Sequence, residues 1–340
     1  MMKKSCFKAI AILVSIVCCL IVGIFFCKVI SSGLSFWGGG LNLEASSQSG
    51  AFIGGIIGTI LSAGVFFWTY KSLLEQRDEQ RLEHLEQRFF LMINLHRQNV
   101  SELIFDTSGR DQDSNLLPEA DPVHRGRVVF RDIFSQIKEC REMVGVIVGN
   151  LRETEIYEEN YLRQIRKNPF VEKNRVNPFS LALADISYCA VHYGVGKKGE
   201  KALFAIFRGK YKKQVIAGIV EKLKEKRAKH GSEIKYFGGH QFRLEHYFRH
   251  MYVSINYIDE SEILSSEEKG KYVDILQSQL SNNEECLLFY HSLSQLGRQW
   301  EMNSRRDYIT DYRLIRDISP AQLIDNVYCF YPKVFAKALK

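Results

Sequence analysis

No Cys-x-x-Cys pair occurs in the 340-residue chain, so the usual spacing for a structural zinc is missing. The eight cysteines are Cys6, Cys18, Cys19 and Cys27 near the N-terminus and Cys140, Cys189, Cys286 and Cys329 scattered beyond. Free thiols in a reducing compartment fit that scatter better than a disulfide framework. Charge is absent too, from two apolar runs, Ala9 to Cys27 and Ala51 to Tyr70. As helices they are each about 30 Å long, the thickness of a bilayer's hydrocarbon core. A helix closes its own backbone hydrogen bonds, which lipid cannot do for it. Two spans are expected, at about 9–30 and 51–70. The stretch Ser31 to Gly50 between them has no Lys or Arg, whereas Lys3, Lys4, Lys8, Lys71, Arg77 and Arg81 flank the outer ends. By the positive-inside rule both termini are cytoplasmic, with Lys28 the one exception, its stem long enough to reach the headgroups. No small-x-small cleavage site follows the first run, which argues against a signal peptide.

What is present divides the chain. The expected architecture is all-α: a transmembrane hairpin over 1–70, a stalk helix over 71–105, a loop over 106–126 and a cytoplasmic α-helical bundle over 127–340. In the second run Gly50, Gly54, Gly58 and Ser62 repeat every four residues, a small-residue stripe that lets helices approach closely in lipid. It serves either self-association into an oligomer or packing of the two spans within one chain. Along the stalk Leu82, Leu85, Phe89, Met92, His96 and Leu103 recur at near-helical spacing, and His96 reads as a core histidine with a partner. Asp106 to Gly126 is rich in Asp, Ser, Gly and Pro and lacks the EF-hand spacing.

Helical periodicity resumes at Phe130 and runs into a charged stretch as far as Lys167. Asn-Pro-Phe triplets at Asn168 and Asn177 mark helix boundaries. Two capping boxes, Ser265 with Glu268 and Ser281 with Glu284, start helices expected to end near Leu280 and Gly297; Ser319 before Pro320 caps a last short one.

Three stretches invite chemistry. Gly194, Gly196 and Gly199 with Lys197 and Lys198 lack the first Gly and the Ser or Thr of a phosphate-binding loop, and read as a turn between helices. The basic stretch that follows, with Lys210, Lys212, Lys213, Lys222 and Lys224, is a solvated face near anionic lipid or a docking surface for nucleic acid or an acidic partner. The net charge of +7 suits either. The densest stretch is GGHQFRLEHYFRHMYVSINYID, Gly238 to Asp259. His246 and His250 stand one turn apart, but the zincin Glu is missing and no metal is assigned. A buried polar network that fixes helix packing is the plain structural reading of this stretch.

The blocks FFLMINLHRQNV, RGRVVF, GHQFRLEHYFRHMYVSINYID and YVDILQSQLSNNEECLLFYHSLSQLG, behind two N-terminal spans, resemble the phage abortive infection protein family. The resemblance covers most of Phe89 to Gly297, and His246, Tyr247, Phe248, Arg249 and Tyr252 belong to its motif. The chain departs from the pattern at His291, where Asn is expected, and in the basic insert. The resemblance implies a toxic effector of phage defence at the bacterial inner membrane, released or assembled on infection and acting by permeabilisation or depolarisation. Similar two-span proteins accompany retrons, so a reverse transcriptase and its reverse-transcribed DNA are implied partners, besides membrane lipid and a homo-oligomer. No cofactor and no small-molecule substrate are expected. Two alternatives stay open. Arg243 and His250 have the offset of the Arg-to-His motif of HEPN ribonucleases, with Leu244 where that family prefers a polar residue; the third reading is a non-toxic membrane scaffold for a defence partner.

Overall fold

Helix starts are set by bonds from a side chain to the backbone a few residues on. Asn168 and Asn177 accept from the N–H of Phe170 (3.0 Å) and Phe179 (2.8 Å), while the intervening proline takes the first helical position, where an N–H has no partner anyway. Both expected capping boxes close, Ser265 with Glu268 and Ser281 with Glu284.

The computed structural model describes residues 43–106, 123–229, 237–302 and 306–335, together with 16, 20, 23–28 and 30–31. The chain divides into two units, Met1–Leu85 and Glu86–Lys340, and helix α1 (Leu43–Ser101) contributes to both. Among the described residues no helix is long and apolar enough to cross a membrane. Most of the first expected span lies outside them, as do the side chains of Phe52, Ile53, Ile56 and Ile57 in the second.

In the second unit strands β1 (Ile104–Asp106) and β2 (Val123–Arg125) pair antiparallel, with Phe105 opposite His124. This ribbon is a small addition to a chain that is mostly helical, as expected, and borders the expected loop 106–126, of which 107–122 lie outside the described residues. Helix α2 (Val128–Val148) follows. It does not continue to Lys167 as expected: the chain turns at Gly149, where Leu151 N–H bonds the Val148 carbonyl at 2.9 Å, and α3 (Glu153–Ile156) and α4 (Glu159–Arg166) are separate. Then come α5 (Pro169–Asn174), α6 (Pro178–Tyr193), α7 (Lys197–Phe207), α8 (Lys213–Lys229), α9 (Gln241–Asp259), α10 (Ser266–Gln277) and α11 (Asn282–Leu293). Residues 194–196 form the α6–α7 connection, a turn as read from the sequence, while Lys197, Lys198 and Gly199 already belong to α7.

Helix α6 is the axis of this unit. From Leu181 to His192 every residue is buried, the polar Asp185, Ser187 and His192 among them, and α2, α7, α9 and α11 pack on it. Side chains such as Ile133, Ile137 and Val144 of α2 are fully buried, each worth about 1.5–3 kcal/mol. Helix α10 ends at Gln277, three residues before the expected Leu280, because the Leu280 N–H turns back to the Gln277 carbonyl (2.9 Å). Helix α11 stops at Leu293 rather than Gly297. Ser294 is extended there, and its hydroxyl donates to the His291 carbonyl at 2.7 Å. Ser319 accepts the Gln322 N–H at 2.9 Å in a short 3-10 turn, which is not the last: Val327–Cys329 and α12 and α13 (Tyr308–Asp311 and Pro332–Phe335) complete the C-terminal part.

Candidate functional site

Helix α9 enters the core through a contact between glycines. Gly194 (φ +72°) and Gly239 (φ +97°) lie backbone to backbone; a Cβ on Gly239 would stand 2.5 Å from the Tyr193 carbonyl oxygen. Only glycine suits either position. The His240 N–H then donates to the His192 carbonyl at 2.8 Å, fixing the start of α9 against the end of α6. From there Leu244, Tyr247, Phe248, Met251, Ser254, Ile255 and Ile258 face inward at three- and four-residue steps, while His246 and Arg249 face solvent. Arg249 pairs with Glu245 on the same outer face, and Tyr252 sets its ring edge against Trp300, centroids 5.2 Å apart.

Tyr247 carries the polar centre of this face. Its hydroxyl donates to Glu284 Oε1 at 2.9 Å, and burial together with that carboxylate pushes its pKa well up. Glu284 is 1% exposed. Its Oε2 accepts from the Ser281 N–H (2.8 Å) and the Ser281 hydroxyl, and Arg127 Nε lies 3.7 Å away. One carboxylate therefore caps α11 and anchors α9. Against Tyr247 stands His96, ring centroids 4.8 Å apart, with His250 beyond it at 5.9 Å. His96 is buried as the sequence implies, but among the described residues neither ring nitrogen has a hydrogen-bond partner, unlike the satisfied core histidine expected there. Burial, His250 and Arg127 lower its pKa to about 4, so its ring is neutral at pH 7. His250 Nδ1 is also unpartnered, and burial lowers that group as well.

Beside His96 opens a pocket of about 450 Å³ lined by His96, Arg97, Val100, Ser101, Gly126, Arg127, Gln279 and Glu284. Three separate stretches meet there: the end of α1, the β2–α2 turn and the α10–α11 connection. Arg127 donates through Nη2 to the Gln279 carbonyl at 2.5 Å, tying two of them. Sequence reasoning missed Arg97, Arg127 and Glu284 as a group, since nothing local links them.

Residues 239–323 match the family model described as "Putative phage abortive infection protein". This segment is similar to that family. It begins at the Gly239 contact and contains all of α9, α10 and α11. The match supports a role in phage defence. No curated protein and no solved structure matches the chain.

The abortive infection segment holds both members of the Arg-to-His pair and gives them different surroundings. Arg243 Nε donates to the Ile104 carbonyl at 2.9 Å, and its guanidinium lies over Phe242 and Phe105; burial lowers it to about 10. His250 faces His96. Between Arg243 and His250 no hydrogen bond forms. His240, fully buried, sets Nε2 3.1 Å from Gln136 Oε1 and is lowered to about 3 by burial, Arg243 and His192. Among the described residues no group of three His, Cys, Asp or Glu is placed to hold a metal ion.

The basic stretch lies just before the abortive infection segment, and much of it is paired internally. Lys210 donates to Gln295 Oε1 (2.9 Å); Lys212, Lys222 and Lys224 bond Glu158, Glu225 and Glu200 at 3.0, 2.9 and 2.7 Å. Of the five lysines singled out, Lys213 alone has no partner among the described residues, and it is exposed.

Proposed function

We propose that the chain is a phage-defence effector of the bacterial inner membrane, which aborts infection by permeabilising or depolarising that membrane when infection releases or assembles it. The observation that carries the reading is the abortive infection segment at residues 239–323 on a chain whose N-terminus holds two uncharged apolar runs. Runs of that length with cationic outer flanks are what a bilayer requires of spanning helices. A second observation bears on assembly. Gly50, Gly54 and Gly58 meet no described atom within 4 Å of an added Cβ, so this stripe is uncommitted among the described residues. A retron's reverse transcriptase and its DNA are the proposed inhibitory partners, and membrane lipid and further copies of the chain complete the assembly.

The test is membrane potential and dye entry in bacteria expressing the intact chain, beside a chain starting at Thr69, with and without phage. Rapid depolarisation that needs residues 1–68 is expected. Toxicity retained by the shortened chain with the membrane intact would overturn the proposal.

A further inference from the structure

We propose that the pocket beside His96 binds the phosphate group of a small phosphorylated molecule, held by Arg97 and Arg127 and completed at its inner wall by His96. Three observations converge. First, the cavity of about 450 Å³ lies inside one unit and has cationic groups from two different stretches, Arg97 from α1 and Arg127 from the β2–α2 turn. Gly126, at φ +62°, makes that turn, and its N–H closes it on the Leu103 carbonyl at 2.9 Å.

Second, His96 is 2% exposed, lines this cavity, and has no hydrogen-bond partner at either ring nitrogen among the described residues. Buried polar groups in native proteins are nearly always bonded, so a buried ring with both nitrogens idle on a cavity wall points to a group that the described residues do not supply. A ligand oxygen that accepts from the ring N–H satisfies the donor.

Third, the charges fit an anion. Glu284 is the only acid of the lining, and its two oxygens are already taken by the Tyr247 hydroxyl and by Ser281. Arg127 uses Nη2 on Gln279 and keeps Nε near Glu284, and among the described residues neither its Nη1 nor the Arg97 side chain has a hydrogen-bond or ion-pair partner. Two arginines that line one cavity from different stretches suit a tetrahedral dianion better than a single carboxylate. The inference is independent of the membrane reading, because every residue it uses lies in Glu86–Lys340.

Calorimetric titration of the full chain in detergent tests it, with inorganic phosphate, AMP and adenosine as probes. Phosphate and AMP are expected to bind and to compete, and adenosine is not. Arg127→Ala and Arg97→Ala should each raise the dissociation constant about tenfold or more, the loss of one charge-assisted contact, while Lys213→Ala leaves it unchanged. Arg97 is exposed, so its variant keeps the test open should Arg127→Ala unfold. Failure of both phosphate and AMP to bind, or equal binding by the two arginine variants and the parent, would overturn the assignment.

Discussion

His291 lies flat on Phe248, ring centroids 4.1 Å apart and planes 6° from parallel. Its Nδ1 stands 2.9 Å from the Tyr188 hydroxyl, so one side chain of α11 joins α9 to α6. This is the position at which the family pattern leads one to expect Asn. His291→Asn keeps a polar group but loses the stacked ring, and should lower stability by about 1–3 kcal/mol. The urea midpoint of the variant against the parent measures it.

Tyr247→Phe removes a donor and leaves Glu284 Oε1 buried without one. The expected cost is about 1–3 kcal/mol, although the ring still packs on Phe130 and His96. A thermal midpoint equal to the parent's would show that the bond contributes nothing.

Asp185 is fully buried and accepts from the Tyr211 hydroxyl (2.6 Å) and from the Gln295 backbone (2.8 Å) and side chain (2.9 Å). Asp185→Ala strands these donors and leaves the half-buried Arg298 without its nearby charge. A loss of about 3–5 kcal/mol is expected, enough to reduce the folded yield, which solubility and circular dichroism would report.

Acid works in two directions. His192, lowered to about 4 by burial, contributes stability above its unfolded pKa of 6.5 that is lost as pH falls toward 4. Glu285 is raised to about 7, first by burial and then by Asp317, and contributes stability that is full below 4.5 and lost as pH rises through 7. Relative to the parent, His192→Gln should therefore gain by about 1–2 kcal/mol between pH 7 and pH 5, and Glu285→Gln should lose ground over the same range. Melting midpoints at the two pH values decide both signs.

How much of this was legible depended on reach along the chain. The helix starts at Asn168, Asn177, Ser265 and Ser281 were readable because each bond spans two or three residues. The inward face of α9 was readable from its period. The second role of Glu284, as acceptor for Tyr247, was not: the two are 37 residues apart, and a capping box already accounts for a Glu there. The pairing of Lys212 with Glu158 and of Lys224 with Glu200 was hidden for the same reason, which made the basic stretch look freer than it is. Three-residue strands such as β1 and β2 carry no period to detect. His96 was legible as buried; that nothing bonds it depends on Tyr247, His250 and the pocket together.

The contact between Gly194 and Gly239 has a bearing on how the chain can change. Val195 N–H bonds the Phe237 carbonyl at 3.0 Å, so α7 and α8 form a detour whose entrance and exit touch. Its far end is tied to the core as well, since the Tyr211 hydroxyl donates to the buried Asp185 and Lys210 donates to Gln295 Oε1. Charge can therefore change at outward positions such as Lys213 while the closures at Val195 and at Tyr211 stay in place.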